Sequence, residues 1–172
     1  MRTQSSSSPN SKKPGRKTPN TNETQTMIKI ATLTVMCLAV LSAAAGEKLE
    51  WMTDLPKAQA QAQAENKLIM MDFTGTDWCP WCIKLDKEVF STPKFSEFAA
   101  RNLVLVEVDF PRHKPQSTEL KRANQALQEK YKIEGYPTVV VLNSDGKKVG
   151  ELGYEEGGPK PFIEKLVKLK KG

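Results

Sequence analysis

Cys79 and Cys82, separated by Pro80 and Trp81, are the side chains in this sequence whose type and spacing point most directly to chemistry. A Cys-x-x-Cys pair takes its meaning from where it falls. This one follows a buried-strand pattern and opens a helix pattern. At a helix N-terminus the unpaired backbone N–H groups and the helix dipole stabilise a thiolate. Cysteines so placed ionise at roughly pH 3.5–7.5, against about 8.5 for a free thiol. Cys79 is therefore the expected nucleophile. The spacing puts Cys82 almost one helical turn on, close enough for its sulfur to attack a mixed disulfide on Cys79 and release a reduced substrate. On this reading Cys82 is the resolving cysteine.

The same pair has other uses. It can supply half of a zinc site, but four ligands are needed, and the only histidine, His113, stands in a Pro-rich polar stretch that reads as solvated. No metal is expected. Two thiolates alone suit soft Cu(I), so a binding module or Cu(I) carrier using the same cysteines stays open as the alternative. Against it stands the lack of a methionine-rich or histidine motif near the pair.

Strand and helix patterns alternate around the cysteines from Gly46 onward. A short strand is expected over residues 48–52. Asp54 then caps an Ala-rich helix with Pro56 in its first turn, ending near Asn66. Residues 68–73 are nearly all apolar, as a central strand covered on both faces would be. Gly75 breaks that strand, and the helix beginning at Cys79 or Pro80 is expected to turn Ile83, Leu85, Val89 and Phe90 inward. Thr92-Pro93 starts another helix, to about Arg101. Residues 103–109 form the next strand. Beyond a polar linker, residues 117–131 read as a helix with Leu120, Ala123, Leu127 and Tyr131 on its inner face. Residues 137–142 and 149–152 make a hairpin about the turn 143–146, and a last helix starts near Pro159. The order is βαβ and then ββα, an α/β fold with a mixed sheet flanked by helices.

The segment Asp77-Trp78-Cys79-Pro80-Trp81-Cys82, with Gly135-Tyr136-Pro137-Thr138 farther on, resembles the thioredoxin superfamily. The resemblance spans nearly everything after Gly46. Trp78 before the first cysteine matches the family's W-C-x-x-C, and Tyr136-Pro137 stands where thioredoxins carry their cis-proline loop. The resemblance implies a thioredoxin fold with a central sheet of four to five strands, and a cis Pro137 facing the cysteines. It also implies that the backbone of Tyr136 is free to pair with an extended substrate, and that Trp78, Pro80, Trp81, Tyr136 and Pro137 form the substrate-binding surface. Asp72 matches the family's acid, which assists proton transfer from the resolving cysteine. No cofactor is implied beyond a redox-active disulfide between Cys79 and Cys82.

Two departures bear on this transfer. The family's acid lies six residues before the first cysteine, whereas Asp72 lies seven before Cys79, so residues 73–76 hold one extra. A bulge at Gly75 would leave Asp72 beneath the site; without it Asp86, Glu88 or a water would have to carry the proton. The inner pair Pro80-Trp81 is neither the Gly-Pro of cytosolic thioredoxins nor the Gly-His of protein disulfide isomerases, and is closer to the Pro-Tyr of glutaredoxins. The absence of a histidine between the cysteines argues against a strong oxidant.

The net charge of +6 would suggest a nucleic-acid or membrane partner if it lay on the folded body. It lies instead in the first 45 residues, where Arg2, Lys12, Lys13, Arg16, Lys17 and Lys29 face Glu23 alone. A nearly neutral body offers no field to hold a phosphate backbone, so no nucleic acid is expected. Residues 1–26 are Ser-, Pro-, Asn- and Lys-rich without apolar periodicity and read as a disordered basic leader. Residues 27–45 pass from a lysine through an apolar run to small residues, as a secretory signal does. Met27 would suit such a signal as a start, and cleavage is expected after Ala45. Retention of residues 28–45 as a membrane anchor is the competing reading. A lipid attached at Cys37 is disfavoured, because the apolar run continues past it and Met36 is bulky.

With the thioredoxin-like domain at residues 46–172, the sequence reads as an exported, periplasmic or extracytoplasmic thiol-disulfide oxidoreductase. It would reduce or isomerise disulfides of exported proteins and be recycled by a membrane electron shuttle, since a cytosolic reductase cannot reach an exported protein. No oligomerisation signal is present, and a monomer is expected.

Overall fold

The computed structural model describes residues 49–171. The expected leader (1–26), signal or anchor (27–45) and Cys37 lie outside the described residues. Among those described, no helix is long and apolar enough to cross a membrane.

Local signals set most of the element boundaries. Strand β1 (Trp51–Met52) is followed by helix α1 (Leu55–Glu65), whose N-terminus is capped where Asp54 Oδ1 accepts the Lys57 N–H at 3.1 Å. It ends where Asn66 takes the left-handed conformation, φ 51°. Strand β2 (Leu68–Thr74) leads to helix α2 (Pro80–Leu85), which runs into a π-helical turn over Asp86–Phe90. Helix α3 (Pro93–Asn102) is capped by Thr92 and continues into β3 (Leu103–Asp109). Helix α4 (Thr118–Tyr131) is capped by Ser117, β4 (Thr138–Leu142) and β5 (Lys148–Leu152) form the hairpin, and α5 (Pro159–Lys171) closes the chain.

The five strands make one mixed sheet in the order β1-β3-β2-β4-β5. Strand β3 is parallel to both β1 and β2, β4 is antiparallel to β2, and β5 is antiparallel to β4. Every residue of β2 is buried, as its nearly continuous apolar run leads one to expect of a central strand, and Asp72 and Thr74 are buried with it. Alternation along the strands divides the core in two. Leu68, Met70, Leu103, Leu105, Val139 and Val141 face the side covered by Leu85, Phe90, Phe95 and Phe162. Ile69, Met71, Phe73, Val104, Val106 and Val108 face the side covered by α1. Large side chains buried to this degree contribute about 1.5–3 kcal/mol each. The same alternation carries Asp72 and Glu107, one pleat beyond Met70 and Leu105, onto the face beneath α2.

Two expected inward positions are corrected. Ile83 is 49% exposed, because α2 turns Cys82 and Leu85 inward, and the residue after Cys82 points some 100° away. The π-helical turn adds a residue and brings Val89 and Phe90 both into the core. In α4, Ala123 is exposed and its neighbour Asn124 is buried, the Asn124 Nδ2 donating to the Asp109 carbonyl at 2.8 Å.

Candidate active site

The cysteine pair sits where β2 hands over to α2. Beyond Thr74 the chain turns at Gly75, whose carbonyl accepts the N–H groups of Trp78 (3.2 Å) and Cys79 (2.9 Å). This turn absorbs the extra residue. It is held from outside by Asp109, which accepts the Thr76 N–H at 2.9 Å and the Thr76 Oγ1–H at 2.7 Å. Asp77 holds the other side, accepting the backbone N–H groups of Arg112, His113 and Lys114 at 2.7–3.0 Å. Against the desolvation that would raise it, these three donors bring the Asp77 carboxyl down to about 2.

Cys79 is the N-cap of α2, with Pro80 in the first turn, where its missing N–H costs nothing. The Cys79 sulfur accepts the Cys82 N–H at 3.2 Å. That bond points one of the helix's free donors at the sulfur, an arrangement that favours negative charge there. A disulfide joins the two cysteines, with Cα atoms 5.3 Å apart. Both are buried, at 4% exposure each.

Behind the pair lies a cavity of about 300 Å³ lined by Asp72, Thr74, Cys82, Asp86 and Glu107 among others. Asp72 is buried and its Oδ1 has no hydrogen-bond partner. Burial first, and then the charges of Glu107, Asp86 and Asp109, push its carboxyl up to about 8. Glu107 is also raised, by burial and then by Asp109. An acid that titrates near a thiol's own range is well matched to exchange a proton with Cys82. Of the two acids that could stand in for Asp72, Asp86 lines this cavity, whereas Glu88 accepts a hydrogen bond from the Tyr154 hydroxyl at 2.6 Å.

On the outer side, Trp81, Tyr136, Pro137, Gly153, Tyr154 and the Glu155-Glu156 pair line an open hollow of about 510 Å³. The Tyr136–Pro137 peptide is cis. Trp81 is 56% exposed and leans on Tyr154, ring centroids 5.5 Å apart, with Lys84 over both rings. Trp78 turns inward instead. Its Nε1 donates to the Phe110 carbonyl at 2.8 Å, its ring meets Tyr136 edge-on at 6.0 Å, and the Arg112 guanidinium stands 3.7 Å from its centre. Pro80 is exposed and outside the hollow's lining.

Of the residues singled out from sequence, then, Trp81, Tyr136 and Pro137 share one surface, while Asp72 and Cys82 share the cavity behind. Sequence reasoning missed Tyr154, Lys84, Glu107 and the Phe110–Arg112 segment. Only Glu107 left a signal, an acid interrupting the apolar run of residues 103–108. Among the described residues, no group of three or more His, Cys, Asp or Glu is placed to hold a metal ion.

Comparison with known proteins adds the family. A family model described as a thioredoxin-like domain matches residues 55–168. The chain is 34% identical over 144 residues to the disulfide bond reductase DsbH of Chlamydia pneumoniae, covering 78% of this chain and 87% of that protein. It is 30% identical over 114 residues to the thioredoxin-related protein DsbJ of the same organism, covering 64% of this chain and 33% of that protein. Among solved structures, one described as a DsbH oxidoreductase superposes with a TM-score of 0.68 at 35% identity, covering 72% of this chain and 85% of that one.

Proposed function

The chain belongs to the thioredoxin-like family of thiol-disulfide oxidoreductases, and from that premise we propose that it reduces or isomerises disulfides of exported proteins, with Cys79 attacking and Cys82 resolving. The observation that carries this reading is the Cys79 sulfur at the head of α2, accepting the Cys82 N–H, with the Cys82 sulfur directly behind it. In the reduced protein the Cys79 thiolate attacks a substrate disulfide. One substrate sulfur leaves as a thiolate and a mixed disulfide forms. Cys82 gives its proton to Asp72 and attacks the Cys79 sulfur, which closes the Cys79–Cys82 bond and releases the second substrate sulfur. Two electrons pass to the substrate and the protein is left as the disulfide.

Trp81, Tyr136 and Pro137 would receive the polypeptide flanking the substrate disulfide, in the open hollow beside the pair. Trp78 serves this surface from below, by holding the turn that presents Cys79, and Pro80 starts the helix. Export is supported by the lysine, apolar run and small residues at 27–45. An exported reductant needs electrons from across the membrane, so a membrane electron shuttle is the partner that would re-reduce the pair. The relative named as a disulfide bond reductase supports reduction as the direction.

Reduction of insulin by the purified protein with a dithiol donor tests the reading. Turnover that disappears in Cys79→Ser supports it; equal rates with and without the protein overturn it. The potential of the pair tests direction: near −270 mV, as in thioredoxin, fits a reductant, and near −120 mV fits an oxidant.

A further inference from the structure

We propose that Glu107 is a positioning residue for the resolving step: held directly opposite Asp72 on the neighbouring parallel strand and facing the same cavity behind Cys82, its carboxylate makes Asp72 the base that takes the Cys82 proton. The inference rests on the reading of Cys82 as the resolving cysteine.

The two acids are placed by register. Asp72 of β2 pairs with Glu107 of β3, in the same ladder that pairs Met70 with Leu105 and Thr74 with Asp109. In parallel strands, paired residues point to the same side, with backbones about 4.8 Å apart. Both acids therefore emerge beneath α2, and both line the cavity that Cys82 closes. Two carboxylates this close and partly desolvated cannot both ionise freely, so the more buried one keeps its proton to higher pH.

Other charges face this spot, and their geometry separates them from Glu107. Asp109, also on β3, is engaged by the Thr76 N–H and hydroxyl. Asp86, from the turn after α2, is exposed and accepts the Ser91 hydroxyl at 3.3 Å. Lys114, from the linker, lies on the side of Glu107 and bonds to Thr76 Oγ1 at 3.1 Å. On β4, the residue opposite Asp72 is the apolar Val139. That leaves Glu107 as the acid set square against Asp72. It is half-buried, and so in contact with both the cavity and solvent.

The step balances as follows. The Cys82 thiol loses its proton to the Asp72 carboxylate, the Cys82 sulfur bonds to the Cys79 sulfur, and the bond from Cys79 to the substrate breaks. The proton then leaves Asp72 by way of Glu107 to solvent, where the departing substrate thiolate is protonated. Glu107 acts through Asp72, by setting the proton affinity of the carboxyl that shares the cavity with Cys82.

The experiment is an infrared titration of the buried carboxyl in the disulfide form, identified by its loss in Asp72→Asn, compared between the wild type and Glu107 variants. Removing the facing charge in Glu107→Gln is expected to lower the Asp72 midpoint by about one pH unit, while Glu107→Asp keeps it near the wild-type value. The pH profile of mixed-disulfide resolution, followed by stopped flow, is expected to move its inflection in the same direction. An unchanged midpoint in a folded Glu107→Gln would overturn the proposal, as would an equal shift in Glu107→Asp. Should Glu107→Gln not fold, Glu107→Met, uncharged and of similar bulk, makes the same comparison. The titration needs no turnover: a wild type inert toward insulin defeats the oxidoreductase reading, while the carboxyl midpoints still decide the pairing.

Discussion

Trp78 donates its indole N–H to the carbonyl of Phe110 at 2.8 Å, tying the residue just before Cys79 to the chain leaving β3. Phe110 in turn stacks on Tyr136, ring centroids 5.2 Å apart, and Tyr136 meets Trp78 edge-on. The three segments that bound the site, the turn before α2, the exit of β3 and the Tyr136–Pro137 loop, are thus closed into a ring of aromatic contacts. Trp78→Phe keeps most of the ring and loses the hydrogen bond, which predicts about 1 kcal/mol of destabilisation in a denaturant titration. Trp78→Ala also removes the packing and is expected to cost about 3–5 kcal/mol, with a matching loss of insulin reduction as Cys79 loses its support.

Gly75 makes that arrangement possible by being small. A Cβ placed there would sit 2.5 Å from the Trp78 indole, which cannot retreat without breaking its bond to Phe110. Gly75→Ala is therefore predicted to destabilise the fold by about 1–3 kcal/mol, as overpacking does. A fluorescence change of Trp78 should accompany it. An Ala variant as stable as the wild type, with unaltered fluorescence, would mean that the turn adapts freely.

The helix starts were legible because each is written in a few adjacent residues: Asp54 caps where a cap is expected, and Thr92 before Pro93 and the chain at residue 117 open helices where starts are expected, with Thr92 and Ser117 as their caps. The sheet and its central strand were legible because residues 68–73, apolar at five of six positions, suit a strand covered on both faces. What local pattern does not carry is register between distant strands. The pairing of Asp72 with Glu107 depends on how β2 and β3 slide past one another, and nothing within either strand states it. Ile83 was misplaced for a related reason. Its apolar character favours an inward position, but the helix phase was already set by Cys82 and Leu85, so Ile83 stays at the surface. Tyr154 reaches Trp81 and Glu88 only through the hairpin's return, a contact between segments that no spacing rule connects.

The proposed order of attack predicts distinct fates for the two cysteine variants. Cys82→Ser keeps the nucleophile at the head of α2 and removes the group that would release the substrate, so a covalent mixed disulfide on Cys79 is expected to accumulate. Cys79→Ser is expected to trap nothing. Both should lose steady-state reduction by about two orders of magnitude or more. Intact-protein mass spectrometry after incubation with a disulfide peptide distinguishes them. Trapping by Cys79→Ser and not by Cys82→Ser would reverse the assignment of roles.

Asp72 is predicted to help chemistry at the expense of stability, and the sign follows from its titration. Its carboxyl is raised from 3.8 to about 8 in the folded protein, so the native state holds a proton that the unfolded chain gives up. The native state is accordingly favoured below about pH 4, and this advantage drains away as the pH climbs from there to about 8. Asp72→Asn replaces the acid with a neutral group of the same shape. It should leave stability nearly unchanged at pH 4 and raise it by about 5 kcal/mol at pH 8, measured by denaturant unfolding at the two values. In the proposed mechanism the same variant removes the base that accepts the Cys82 proton, so resolution of the mixed disulfide should slow by about 10²-fold or more. A variant both more stable and slower is the signature of a buried acid kept for proton transfer. A variant less stable at pH 8 would instead make Asp72 a structural acceptor, and the proton would have to leave Cys82 through Asp86 and the cavity they share.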